Sequence, residues 1–135
     1  MTVGVLIVTH NNSGKELLGC CNSIFGEAPL AIEAIGVSSK DCADKAQEKI
    51  INSIERLDDG DGVLLITDLY GATPCNISIK VMQSMPNKIK IITGINLQMV
   101  LKTFNYFDLE LEQLAAKVLF GGSNGINLIN KEKSA

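Results

Sequence analysis

The chain has 135 residues, enough for one domain, and its 46% hydrophobic content beside 20% charged residues predicts a folded protein with an aliphatic core. Its net charge of −3 argues against nucleic-acid binding, which favours basic patches. No apolar run approaches the roughly 20 residues of a membrane helix, and Lys15, the first basic residue, follows the first apolar run, unlike in a secretory signal. We expect a cytoplasmic protein whose four cysteines are free thiols and bind no metal.

The first half of the chain predicts strand, helix, strand and helix. Thr2–Thr9 is an apolar, β-branched run typical of a strand buried on both faces. A helix follows over Lys15–Phe25, and Ala31–Val37 predicts a second strand. In Asp41–Leu57 the apolar residues recur at three- and four-residue spacing, which predicts an amphipathic helix that residues 58–62 end.

The pattern continues in the second half. Gly62–Asp68 is a third apolar strand, and Lys88–Thr93 predicts a fourth. Between them we predict a helix that runs to Met85, with Thr73 as its N-cap and Pro74 at its first position.

The last third of the chain predicts short elements. Two helices are expected over Asn96–Phe104 and Leu109–Phe120, followed by a hinge at Gly121–Gly125 and a final strand at Ile126–Ile129. We expect residues 1–130 to form a single domain and residues 131–135 a flexible tail.

Strands that are apolar throughout and alternate with helices require a parallel sheet covered on both faces. With right-handed crossovers, this predicts an α/β fold, a doubly wound sandwich around four parallel strands. No linker marks a domain boundary.

In an open sheet of this kind, ligands bind outside the carboxyl ends of the strands. His10 ends the first predicted strand and Asp68 ends the third. An imidazole is largely neutral at cellular pH, so one ring nitrogen can act as a nucleophile while a carboxylate holds the N–H of the other. The predicted helix N-termini at 12–14 and 71–73 offer N–H groups to an anion. Together these features suggest phosphohistidine chemistry without a cofactor.

Two ordinary interpretations compete with this one. A single histidine after a strand is more often a solvated loop residue, and an aspartate there is often a turn former. The sequence contains no P-loop, no G-x-G-x-x-G after the first strand and no G-x-S-x-G elbow. The residues alone leave these alternatives open.

Three segments at three strand ends carry a family resemblance: Val8-Thr9-His10, the string TDLYGATPCN at 67–76, and the string TGINLQM at 93–99. Together they resemble the mannose-family enzyme IIA of the bacterial phosphotransferase system, and the similarity covers essentially the whole chain. Family members often carry glycine after the histidine, where this chain has Asn11, a residue that also tolerates left-handed backbone.

The resemblance implies that His10 accepts a phosphoryl group on Nε2 from the phosphocarrier HPr and passes it to a IIB component. Asp68 would bond the other ring nitrogen. The residues expected around the phosphoryl group are Thr9, Ser13, Gly71, Ala72, Thr73 and Asn96. The resemblance also implies a homodimer that exchanges the last strand, and contact with the membrane only through a transporter complex.

Other functions remain open at the level of sequence. The phosphocarrier subunit of dihydroxyacetone kinase shares this fold and histidine, and a regulatory phospho-switch would use the same chemistry. A two-component receiver would accept phosphate on Asp68 itself, although receivers need acidic residues where Thr9 and His10 stand. A non-catalytic interaction module with an idle histidine is the fourth alternative.

Overall fold

A computed structural model of the chain describes residues 2–132 and contains a central sheet of four parallel strands. The strands are β1 (Gly4–His10), β2 (Ile32–Val37), β3 (Val63–Thr67) and β4 (Ile89–Ile92). The helices are α1 (Ser13–Phe25), α2 (Ala43–Leu57), α3 (Thr73–Ser84), α4 (Leu97–Asn105) and α5 (Leu111–Asn124). The spatial order of the strands is β2-β1-β3-β4, so β1 and β3 lie in the centre.

Helices cover both faces of the sheet. On one face, Val5 and Ile7 of β1 pack with α1, α4 and α5, and on the other, Leu6 and Val8 pack with α2 and α3. All four side chains are fully buried, and each burial stabilises the fold by roughly 1.5–3 kcal/mol. The strand is apolar throughout because neither face meets water. This arrangement confirms the predicted doubly wound α/β sandwich.

The helices begin where the site was predicted. α1, α2 and α3 follow β1, β2 and β3 directly, so three helix N-termini with their positive dipole ends gather at the carboxyl edge of the sheet. Between residues 2 and 132, no helix combines the length and the apolar character needed to cross a bilayer.

The start of α3 differs from the prediction by one residue. Ala72 has extended backbone (φ −84°, ψ 172°) and is the N-cap, whereas Thr73 already belongs to the helix and Pro74 is its second residue. Because Ala72 has no side-chain acceptor, this helix begins without a side-chain cap. The hydroxyl of Thr73 is thus not used for capping.

The predicted hinge at Gly121–Gly125 is wrong, because α5 continues to Asn124. A Cβ at Gly121 would lie 2.5 Å from Cγ of Lys102 in α4. Glycine at this position leaves room for the Lys102 side chain against α5, and the helix continues through it.

The predicted last strand is not part of the sheet of this single chain. Residues 126–130 have no regular structure, and Ile126, Leu128 and Ile129 are all exposed. The strand exchange in a homodimer stays a prediction. Of the predicted flexible tail, residues 131–132 form a turn, and 133–135 lie outside the described residues.

Candidate functional site

The sheet register brings the two leading candidates together. β1 and β3 are adjacent and parallel, and Val8 pairs with Thr67. The residues that follow at the carboxyl edge, His10 and Asp68, therefore lie side by side. The proximity follows from the two strands ending at the same level.

Asp68 holds His10 at two points. Its Oδ2 accepts a hydrogen bond from the His10 backbone N–H (2.9 Å) and lies 2.8 Å from Nδ1 of the His10 ring. Its Oδ1 accepts a bond from the N–H of Leu69 (2.9 Å). Backbone and ring of the histidine are thus fixed by one carboxylate.

The carboxylate is ionised at neutral pH. Burial alone would raise the pKa of Asp68, but the hydrogen bonds from the His10 backbone, the His10 ring and Leu69 together bring that pKa below its usual value. An ionised carboxylate accepts hydrogen bonds only, so in the neutral imidazole Nδ1 carries the ring proton and Nε2 keeps a lone pair. The His10 side chain is 46% exposed, which leaves the ring accessible to a partner.

The turn after His10 adopts the conformation that the sequence suggested. Asn11 has a φ of 51°, in the left-handed region, so asparagine takes the position where glycine is common in the resembled family. The Ser13 hydroxyl donates to the His10 carbonyl (3.0 Å), which ties the start of α1 to the end of β1.

Thr9 has a supporting position. Its side chain is fully buried, and its hydroxyl accepts a hydrogen bond from the N–H of Gly14 (2.9 Å). Thr9 therefore holds the first turn of α1, and its contribution to the site runs through that helix end.

The loop between β3 and α3 is the second loop at this edge of the sheet, after the turn that follows His10. Leu69 and Tyr70 are 60% and 78% exposed. Gly71 has a φ of 83°, which favours glycine, and its carbonyl accepts a bond from the Asn76 side chain (2.9 Å). The N–H of Ala72 donates to the Leu69 carbonyl (3.2 Å), so the loop is a closed turn ahead of α3.

A cavity of about 330 Å³ lies between the end of β1 and the start of α3, and both His10 and Thr73 line it. The far side is formed by Ser38, Ser39 and Asp41, from the loop between β2 and α2. Sequence reasoning missed this third loop of the site because the loop carries no motif. Its position after β2, at the same edge of the sheet, was the available signal.

Asn96 lies farther along the edge and has structural partners. Its Oδ1 accepts the N–H of Met99 (3.0 Å) and caps α4, while its Nδ2 donates to the Gly122 carbonyl in α5 (3.1 Å). Through these two bonds Asn96 joins α4 to α5, and its role at the wall of the site stays a prediction. A direct contact with a phosphoryl group stays a prediction.

Comparisons with known proteins agree with one another. A family model, EIIA-man, described as the "PTS system fructose IIA component", matches residues 4–119. The "PTS system mannose-specific EIIAB component" of Escherichia coli (strain K12) is 24% identical over 131 residues, which are 96% of this chain and 40% of that protein. The chain thus spans well under half the length of the curated relatives that it matches.

Solved structures show the same architecture. A mannose/sorbose-specific IIA subunit from Enterococcus faecalis superposes with a TM-score of 0.86 at 23% identity and covers 100% of both chains. The component EIIA from Streptococcus agalactiae gives a TM-score of 0.81 at 24% identity, covering 93% of this chain and 95% of that one. At these identities the likeness establishes the fold.

Proposed function

The chain belongs to the EIIA-man family of phosphotransferase-system IIA components, and we propose that it is a phosphocarrier that accepts a phosphoryl group from phospho-HPr on Nε2 of His10 and passes it to a IIB component. The observation that carries this proposal is the 2.8 Å contact between Nδ1 of His10 and Asp68. It commits one ring nitrogen to a carboxylate and leaves the other free to attack.

The transfer balances without a cofactor. The Nε2 lone pair attacks phosphorus, and the bond between phosphorus and the donor breaks with its electron pair returning to the donor. The Nδ1 proton stays on the His10 ring, where it donates to Asp68. The positive charge that develops on the phosphorylated imidazole therefore lies beside an ionised carboxylate, which stabilises it.

The N-termini of α1 and α3 are suited to the phosphoryl oxygens. The first N–H groups of a helix have no intrahelical partner, so they can donate to an anion. We place the backbone of Ser13, Gly71 and Thr73 around the phosphoryl group, with Ala72 beside it, because the Ala72 N–H already donates to the Leu69 carbonyl. The Thr73 hydroxyl supports this assignment because it is not a cap and because Thr73 shares a cavity with His10.

The exposed apolar residues beside the site suit a protein partner. Leu69 and Tyr70 directly follow Asp68 and present apolar surface to solvent. Desolvation of such residues contributes affinity, and the net charge of −3 favours the approach of a basic partner surface such as that of HPr. A location in the cytoplasm, with the membrane reached only through a transporter complex, is part of the proposal.

A homodimer with exchanged last strands is part of the proposal. β4 forms the outer edge of the sheet, and beside it runs a groove of about 520 Å³ with an apolar lining that includes Ile79 and Ile91. The segment 126–129 carries exposed apolar side chains that could be buried there by a second copy.

The test is an intact-mass measurement after incubation with phosphoenolpyruvate, enzyme I and HPr. We expect an acid-labile gain of one phosphoryl group in the wild type and none in His10→Ala. The assignment is unambiguous because His10 is the only histidine in the chain. Asn52→Ala, an exposed substitution in α2, controls for handling and should be phosphorylated like the wild type.

Two outcomes contradict the proposal. No gain in the wild type, with HPr shown to be charged, would exclude HPr as the donor. A mass gain that persists in His10→Ala would show that another residue carries the phosphoryl group. Asp68 would then be the candidate, as in a two-component receiver. Once transfer is shown, incubation with a IIB component or with the dihydroxyacetone kinase subunits separates the two carrier roles.

A further inference from the structure

The turn that follows His10 lies against β2, and a glycine makes this contact possible. Gly36 pairs with Thr9 in the register between β1 and β2. A Cβ at Gly36 would overlap the carbonyl oxygen of Asn11 and lie 2.8 Å from its carbonyl carbon. Real Cβ atoms do not approach other atoms this closely. Only glycine leaves room for the Asn11 carbonyl at this position.

The same turn is fastened to β2 by a hydrogen bond. The N–H of Asn11 donates to the Val37 carbonyl at 2.9 Å. The two peptide groups that flank Asn11 therefore both contact β2: the one before it donates to Val37, and the carbonyl of the one after it lies over Gly36. Between these two contacts, Asn11 has its left-handed φ of 51°.

His10 is thus held from two neighbouring strands. On the β3 side, Asp68 accepts its backbone N–H and contacts its ring. On the β2 side, the next residue, Asn11, packs against Gly36 and donates a hydrogen bond to Val37. A displacement of the Asn11 peptide is transmitted to His10 through one covalent link, while Asp68 stays in place.

We propose that Gly36 is a positioning residue for His10. By leaving space for the Asn11 carbonyl, it fixes the turn that aims the His10 ring at Asp68, and it acts through Asn11 without touching the phosphoryl group. The part of this inference that concerns transfer rates rests on the proposed phosphocarrier function. The part that concerns the ring proton does not.

The first experiment compares two glycine substitutions. Gly36→Ala pushes the Asn11 carbonyl away, and a misplacement on the order of 1 Å lowers a rate up to about 100-fold. We expect the rate of phosphoryl acceptance at saturating donor to fall about 10- to 100-fold, with little change in KM. Gly4, at the other end of β1, is the matched control, because a Cβ there would lie 2.6 Å from the Leu57 carbonyl oxygen. Gly4→Ala should lose stability but keep the wild-type rate per folded molecule.

The second readout is the tautomer of the His10 ring, measured by nitrogen-15 NMR. The signals are unambiguous because the chain has one histidine. We expect the Nδ1–H form in the wild type and in Gly4→Ala, and a mixture of both tautomers in Gly36→Ala. A wild-type tautomer in folded Gly36→Ala overturns the proposal, as does an equal change in Gly4→Ala. This readout remains decisive if the wild type accepts no phosphate.

A second pair of variants covers the case in which Gly36→Ala does not fold. Asn11→Ala disfavours the left-handed backbone and should change both tautomer and rate, whereas Asn11→Gly adopts it freely and should retain both. A wild-type tautomer in Asn11→Ala would show that the turn does not position His10, and the role of Gly36 would fall with it.

Discussion

Two aspartates at opposite ends of the strands accept the same number of hydrogen bonds from different kinds of donor. Asp68, at the carboxyl edge, accepts hydrogen bonds from the backbone and ring of His10 and from the N–H of Leu69. Asp58, at the amino edge, accepts bonds from two glycine N–H groups and from the side chain of Asn87 (2.7 Å). In both cases burial opposes the ionised form, and the hydrogen bonds nevertheless leave the pKa of the carboxyl below its usual value.

The difference lies in what donates to each carboxylate. Every donor to Asp58 is a neutral N–H: the two glycines close the turn between α2 and β3, and Asn87 ties that turn to the segment before β4. One donor to Asp68 belongs to an imidazole whose second nitrogen is the proposed phosphoryl acceptor. A lowered carboxyl pKa is therefore a poor sign of function by itself, because a structural turn produces it as readily as a reactive pair.

The largest effect that separates the two aspartates is expected in transfer. Asp68→Asn removes the charge that orients the ring and stabilises the phosphorylated form, so phosphoryl acceptance should fall at least about tenfold, on the scale of lost carboxylate partners of metal-bound histidines. The fold should be retained. Rapid-quench measurement of phospho-His10 tests this, and normal transfer in this variant would remove the orienting role of Asp68.

The reverse effect is expected for Asp58→Asn. An amide cannot accept from Asn87 and from both glycines as a carboxylate does, so the free energy of unfolding should fall by about 1–3 kcal/mol. Transfer per folded molecule should be unchanged. Urea denaturation measures the loss. Asp59→Asn is the control, because Asp59 is the exposed neighbour of Asp58 and its substitution changes the net charge by the same amount. Equal stability of the two variants would contradict the structural role of Asp58.

The two aspartates also show how far the sequence was informative. His10 and Asp68 were predicted as a pair because each follows an apolar run, and parallel strands end at one edge. The string at 58–62 predicted only a helix end. The hydrogen bond from Asn87 to Asp58 joins residues 29 positions apart, and no local sequence pattern predicts it.

Glycine positions were the least predictable feature. The stretch Gly121–Gly125 suggested a hinge because clusters of glycine, serine and asparagine usually mark loops, yet α5 continues to Asn124. The side chains that pack over Gly121 and Gly122 come from another helix, α4. Gly36 lies inside a predicted strand, and its role was likewise not predicted because the contact is with another segment, at Asn11. Periodicity reports which face of an element is apolar, but it contains no information on how closely a neighbouring backbone approaches.

A smaller effect is expected at the wall of the site. Thr73→Ala removes a hydroxyl that is proposed to donate to the phosphoryl group, so phospho-His10 should hydrolyse faster, by roughly two- to tenfold for one lost hydrogen bond of about 0.5–1.5 kcal/mol. Thr73→Ser keeps the hydroxyl and should behave like the wild type. The decay of the phosphorylated mass with time measures both variants, and identical decay in all three proteins would exclude the contact.

The smallest expected effect is the pH dependence of the stability that Asp58 provides. Its carboxyl pKa is lowered in the folded protein, so the folded state binds the proton less readily than the unfolded chain, whose aspartates titrate near pH 3.9. The stabilisation is therefore complete above that pH and is lost as pH falls through the lower folded value. The stability gap between wild type and Asp58→Asn should be constant near neutral pH and shrink below about pH 4. Urea denaturation at a series of pH values measures it, with Asp59→Asn as the reference for the change in net charge. A gap that widens on acidification would mean that the ionised carboxylate does not stabilise the turn, and the parallel between the two edges would then rest on geometry alone.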